Sequence, residues 1–199
     1  TTAAPAPRRG AAPRIERPVF IVSSPRSGSS LMFETLAKSP DLFTVGGESH
    51  LVIESIPELQ PAAHGWHSNR LTADDATPAI VARLQANFVS QLRDRDGRPP
   101  VGPVRMLEKT PKNSLRVPFL QAAFPDAVFV YLYRDPRETI SSMLDAWRSG
   151  RFTMYADLPG WTGTPWSLLL VPGWQDLIGT PLGEIVATQW ATATTWLLD

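Results

Sequence analysis

Short apolar runs and spaced apolar positions alternate along this 199-residue chain. Pro18 to Val22 is short, β-branched and followed by turn formers, which predicts a buried strand. Leu31, Met32, Thr35 and Leu36 then recur at helical spacing. Leu42 to Val45 is a candidate second strand ending at Gly46-Gly47, and Leu51 to Leu59 a helical stretch broken by Pro57. Residues 60–74 read as loop. Thr77-Pro78 supplies an N-cap and a first-turn proline, and Val81, Leu84, Phe88 and Leu92 mark one face of the helix that follows. Val104 to Leu107 is a short strand, with a helix from about Pro118 to Phe124 behind it. Val128 to Tyr133 is a continuous apolar and aromatic run of the kind buried in parallel sheets. Asp135-Pro136-Arg137-Glu138 opens a helix with an N-cap, a first-turn proline and a glutamate placed for a capping box. Glu184 to Leu198 reads as a last helix, with Ile185, Trp190, Trp196 and Leu197 as buried candidates. Strands alternating with helices predict an α/β fold, a three-layer sandwich around a mainly parallel sheet. Such sheets bind ligands at the carboxyl ends of their strands.

Two stretches fall outside this rhythm. Residues 1–16 are mostly Ala, Pro and Arg and read as a disordered arm or linker, leaving residues 17–199 as one domain. Residues 151–183 hold four Pro, five Gly and three Trp with little periodicity, so they suit either a lid or acceptor-binding wall, or an irregular segment whose aromatics join the core.

Composition narrows the function classes. A formal net charge of zero gives no global field for nucleic acid or an anionic membrane, so an anionic ligand must be held by a local cluster. The absence of cysteine excludes disulfides and thiolate metal sites, and His64 and His67 flank a Gly-Trp pair in a loop-like stretch, so no metal site is expected. No apolar run approaches the roughly 20 residues of a membrane span, and no signal peptide opens the sequence. A cytoplasmic protein is the expectation.

The chemistry is concentrated after the first strand. Ser24-Pro-Arg-Ser-Gly-Ser-Ser30 leads directly into a helix, so free backbone N–H groups, the helix dipole and serine hydroxyls converge on one place. Arg26 adds a planar, permanently charged fork suited to phosphate or sulfate oxygens. The Gly-Lys-Ser/Thr ending of a nucleoside-triphosphatase loop is missing, which disfavours a Mg-triphosphate site.

Pro25-Arg-Ser-Gly-Ser-Ser30 resembles the 5′-phosphosulfate loop of sulfotransferases that use 3′-phosphoadenosine 5′-phosphosulfate (PAPS). Val128 to Ser142 is similar to the same family's 3′-phosphate motif, in which an Arg ends a strand and a Ser follows eight residues later on a helix. The resemblance covers about residues 18–147 and implies a bacterial-type sulfotransferase moving a sulfuryl group from PAPS to an acceptor hydroxyl by in-line transfer, with 3′-phosphoadenosine 5′-phosphate (PAP) as product and no metal. It implies nucleotide binding by Arg26, Ser27, Gly28, Ser29, Ser30, Arg134 and Ser142. Ser141 faces another side of the helix, and Arg137 reads as a solvated first-turn residue. Glu108-Lys109-Thr110-Pro111 resembles a Lys-x-Pro segment of the tyrosylprotein branch, whose Lys assists catalysis. Val45-Gly-Gly-Glu48 sits, with a one-residue shift, where that branch carries its catalytic Glu. Arg26, Lys109 and Glu48 are thus the expected catalytic residues, with His50 the rival base, since cytosolic small-molecule sulfotransferases use a His. The Leu-Pro-Gly-Trp and Pro-Gly-Trp stretch looks like sulfotransferase domains embedded in bacterial biosynthetic assembly lines.

Family members usually continue into a basic, Gly-rich loop that closes over the nucleotide, so a C-terminally incomplete domain is expected, part of a longer chain or an oligomer. The expected acceptor is a hydroxyl compound, small or carrier-bound. Two other readings remain: a nucleotide-binding module without catalysis, and a kinase with an atypical phosphate loop.

Overall fold

The computed structural model describes residues 12–198. Residues 1–11 of the expected arm lie outside the described residues, but its end does not behave as an arm. Arg14–Ile15 form a strand, β1, paired in parallel with Pro103 and Val104, and Ile15 packs on the main core. The ordered domain therefore begins before residue 17: one apolar side chain and two backbone pairs suffice to dock a segment whose composition looked like linker.

The chain continues through β2 (Val19–Val22), α1 (Ser29–Leu36), β3 (Leu42–Phe43), α2 (His50–Glu54) and α3 (Pro78–Gln91). It then forms β4 (Pro103–Lys109), α4 (Val117–Ala123), β5 (Val128–Tyr131) and α5 (Pro136–Ser149). A hairpin of β6 (Thr153–Tyr155) and β7 (Trp166–Ser167) precedes α6 (Leu182–Leu198). Short 3₁₀ turns form at Pro57–Leu59, in the stretch expected to be helical, and at Pro61–His64 and Ala73–Asp75, where loop was expected over residues 60–74. Strand β4 pairs in parallel with β1, β2 and β3, and β2 pairs in parallel with β5.

Period-two alternation along β2 builds the layers. Phe20 and Val22 enter the main core with Val52 and Ile53 of α2, Leu84 and Phe88 of α3, and Phe119 and Leu120 of α4. Ile21 points the other way, onto Phe33 of α1 and Leu107 of β4. Thr77 caps α3 as its sequence predicts, accepting from the Ile80 N–H.

Two expectations change. The run from Val128 to Tyr133 is not a buried strand: β5 ends at Tyr131, lies at the end of the strand order, and all four of its side chains are only half-buried. At the start of α5, Asp135 does cap the helix through the Arg137 N–H (2.9 Å), but Glu138 does not close a capping box. Its carboxylate instead accepts from Arg134 Nε at 2.9 Å, because a guanidinium one turn away competes for it.

The Trp-rich stretch is a second core. Trp166 and Trp174 are buried beside Trp147 of α5, with Trp161 edge-on to both, between α5 and α6. Gln189 of α6 ties this unit together: it accepts from Trp147 Nε1 (2.9 Å) and donates to the carbonyls of Ser167 (2.9 Å) and Leu169 (2.7 Å). Of the buried candidates in α6, Ile185 is buried, whereas Trp190, Trp196 and Leu197 are half-buried. Among the described residues no helix is long and apolar enough to cross a membrane.

Candidate active site

The carboxyl ends of β2 and β4 and the start of α5 open into one cleft of about 380 Å³. At its centre the chain leaves β2 through a turn with two residues of left-handed backbone, Arg26 (φ 66°) and Gly28 (φ 91°). Gly28 then begins α1 without a side-chain cap. The Leu31 N–H turns back onto the Gly28 carbonyl at 3.1 Å, so the N–H groups of Ser29 and Ser30 have no partner within the helix. Nothing lies within 4 Å of where a Cβ on Gly28 would stand. Free donors, a helix N-terminus and open space form a cradle that fits an anion.

Ser27 departs from expectation. Its hydroxyl points inward, donating to the Ser24 carbonyl at 2.9 Å and meeting Ser24 Oγ at 2.7 Å, so it braces the loop instead of facing a ligand. Arg26, Gly28, Ser29 and Ser30 all line the cleft. Arg26 lays its guanidinium 4.7 Å from the centre of the Phe152 ring and donates from Nε to Ser142 Oγ at 3.2 Å. The two motifs that sequence places 116 residues apart thus touch.

Lys109 ends β4 with its side chain 6% exposed, and its ammonium bridges Glu48 Oε1 (2.8 Å) and Ser30 Oγ (3.2 Å). Glu48 is set there by its neighbour. The Ser49 N–H donates to Thr110 Oγ1 at 2.7 Å, and Ser49 Oγ donates to Glu108 Oε1 at 2.6 Å. Thr110 and Asn113 also donate to the Glu108 carboxylate, which is fully buried, and this burial pushes its pKa up. Burial, one of the ways to make Glu48 a base, is not met: its side chain is 40% exposed.

His50 does not line the cleft. Its Nδ1 is buried without a hydrogen-bond partner, 3.7 Å from Glu48 Oε2. Burial, then the ammonium of Lys112, lower its pKa. Lys112 is the cleft residue that sequence reasoning missed. Its ammonium contacts both carboxylate oxygens of Glu54 (2.9 and 3.1 Å) and lies 5.1 Å from the centre of the Tyr155 ring. Arg116 shares the same carboxylate at 2.6 Å. Desolvation lowers the Lys112 pKa to about 8. Its place three residues after Lys109, in a chain with three lysines, was the available signal.

Arg134 and Ser142 line the cleft as expected, and Ser141 is exposed. Arg134 is held by Glu138 through Nη2 at 2.8 Å as well as Nε. Arg137 pairs with Asp135 and is 90% exposed, a solvated first-turn residue. Among the described residues no three His, Asp or Glu side chains form a group that could hold a metal ion.

A sequence model described as Sulfotransferase family matches residues 18–169. A protein of Caenorhabditis briggsae named as a candidate protein-tyrosine sulfotransferase is 28% identical over 130 residues, 65% of this chain and 44% of that protein. Protein-tyrosine sulfotransferase A of Caenorhabditis elegans is 28% identical over 131 residues, 63% of this chain and 32% of that protein. The chain therefore spans less than half the length of these relatives. The crystal structure of a Mycobacterium avium sulfotransferase shares the fold with a TM-score of 0.51 and 15% identity, over 92% of this chain and 55% of that one.

Proposed function

Because this chain belongs to the sulfotransferase family, we propose that its cleft binds PAPS and transfers the sulfuryl group to an acceptor hydroxyl. The observation that supports the reading is the Arg26–Ser142 contact, which brings the two motifs assigned here to the 5′ and 3′ ends of the nucleotide to one cleft of about 380 Å³. PAPS, when bound, supplies the sulfuryl group: an acceptor O–S bond forms, the S–O bond to the phosphate breaks, and PAP leaves.

The chain's own groups divide the remaining work. Arg26 and the free N–H groups of Ser29 and Ser30 hold the phosphosulfate end, and Arg134 with Ser142 the 3′-phosphate. Lys109, already on Ser30, is placed to neutralise charge that develops on the leaving phosphate. Glu48 takes the acceptor's proton once Lys109 shifts toward that charge. Positioning and electrostatics dominate such transfers, as in phosphoryl transfer.

Calorimetry with PAP beside a sulfuryl-transfer assay tests the reading. Binding with turnover supports it, binding without turnover indicates a nucleotide-binding module, and no binding overturns it. Arg134→Ala separates the two phosphate sites. PAP affinity should fall by roughly 1.5–3 kcal/mol, the worth of a hydrogen bond to a charged group, while adenosine 5′-phosphosulfate, which lacks the 3′-phosphate, is spared. Equal losses for both nucleotides would make Arg134 a support of the fold.

A further inference from the structure

One buried charge has no part in the chemistry described so far. Val104 and Met106 of β4 send their side chains into the main core, and period two puts Glu108 on the same face, where a third apolar residue would fit. Glu108 is instead a carboxylate, 1% exposed and off the cleft. It pairs with no cation among the described residues: Lys109 is on Glu48, and Lys112 and Arg116 are on Glu54. An interior carboxylate is costly to bury, and an apolar side chain in its place would serve stability as well or better. What Glu108 does have is donors on both oxygens. Ser49 Oγ and Thr110 Oγ1 each donate to Oε1 at 2.6 Å, and Asn113 Nδ2 donates to Oε2 at 2.8 Å. All three neighbours are buried, and all are donors, so the pocket is built for an acceptor-only carboxylate.

The two donors on Oε1 come from the two segments that carry the reactive pair. Ser49 follows Glu48 at the start of α2, and Thr110 follows Lys109 at the end of β4. A further bond ties these neighbours directly, from the Ser49 N–H to Thr110 Oγ1 at 2.7 Å. Glu48 itself is 40% exposed in its side chain, with Lys109 at 2.8 Å and His50 at 3.7 Å as its charged contacts. The spacing of Glu48 and Lys109 is therefore set one residue further along each segment. Resting on the sulfotransferase reading, we propose that Glu108, Ser49 and Thr110 form a clamp that positions Glu48 against Lys109 for transfer. None of the three lines the cleft; they act through the backbone of their neighbours.

The clamp is tested on the full chain by labelling lysines with a water-soluble succinimidyl ester and reading each lysine by peptide mass spectrometry. Thr110→Val keeps the shape and removes the hydroxyl, whereas Thr110→Ser keeps the hydroxyl. Released from Glu48, the Lys109 amine should label about fivefold faster in Thr110→Val, the worth of a partly exposed ion pair. Glu48→Gln should reach the same level, and combining the two substitutions should add nothing. Thr110→Ser should label as the parent does. Lys38, which is exposed, gives the reference rate, and Lys112, held by Glu54, reports general loosening. With PAPS and 4-nitrophenol as the probe acceptor, Thr110→Val should lose roughly tenfold to a hundredfold in kcat, the cost of displacing a positioned group by about 1 Å. PAP affinity should stay within about twofold, and Thr110→Ser should restore the rate. Unchanged Lys109 labelling, Lys109 and Lys112 rising together, or a kcat within about twofold of the parent overturns the clamp. Should Thr110→Val not fold, Ser49→Ala, which keeps the N–H bond to Thr110, is read by the same criteria. Should the parent not bind PAP, the nucleotide reading falls, and the labelling decides the clamp alone.

Discussion

At the scale of single residues, a carboxylate proposed to accept a proton is found holding an ammonium. Lys109 lies 2.8 Å from Glu48 and 3.2 Å from Ser30, so one cation touches both the proposed base and the start of α1. Glu48→Gln should therefore keep the fold and PAP affinity yet lose turnover, by about 10²–10⁴ in rate. His50→Gln should retain a substantial rate, because the imidazole does not line the cleft and lies 3.7 Å from the Glu48 carboxylate, beyond hydrogen-bond reach. Steady-state assays of both variants decide it, and the opposite pattern would make His50 the base. Most of the site was legible: Arg26, Gly28, Ser29, Ser30, Glu48, Lys109, Arg134 and Ser142 share one cleft. The Ser27 hydroxyl was misread because a motif gives the identity of a hydroxyl but not its direction, and here it donates to the Ser24 carbonyl. Lys112 was passed over because its importance comes from Glu54, a residue 58 positions away that no local pattern links to it.

At the scale of elements, periodicity located the strands and helices around the sheet, since alternation along β2 and helical spacing along α3 are properties of contiguous sequence. What it could not supply was neighbourhood. The run at β5 reads as interior, yet its burial depends on having a strand on each side, and among the described residues only β2 flanks it. The stretch 151–183 likewise has no period to read, because its order comes from packing on α5 and α6. Of the two readings offered for it, the core one holds for the tryptophans, while Phe152 and Met154 line the cleft. The junction is Gln189, buried with three partners, one on α5, one on β7 and one just after β7. Gln189→Leu removes the acceptor of the Trp147 indole N–H and a donor to each of two carbonyls, of which that of Leu169 keeps the Trp166 indole, so it should destabilise the fold by about 2–4 kcal/mol. Urea denaturation monitored at equilibrium checks this, and a loss below about 0.5 kcal/mol, the range of an ordinary surface change, would show that the hairpin is held by the tryptophans alone.

For the molecule as a whole, the buried charges set a pH dependence of stability. Lys112 titrates at about 8 in the folded chain against an ordinary 10.5. Between those values the unfolded chain still holds a proton that the folded chain has released, so raising the pH favours the fold. Relative to Lys112→Met, the parent should gain up to about 3 kcal/mol of stability from pH 7.5 to 10.5. Chemical denaturation at the two pH values measures the difference, and a constant offset would mean that the ammonium titrates normally. The tryptophan cluster has an optical consequence. Trp161, Trp166 and Trp174 meet edge-to-face with ring centres 4.9, 6.0 and 6.2 Å apart, and Trp147 lies 5.4 Å from Trp166. Indoles so close share their electronic excitations, so the cluster should give a circular dichroism couplet at the intense far-ultraviolet indole transition, whose sign and size depend on the mutual tilt of the rings. Because the same rings share a core with Leu168 and Leu169, which line the cleft, any ligand that shifts the hairpin should change that couplet, giving the chain an unlabelled reporter of what its cleft contains.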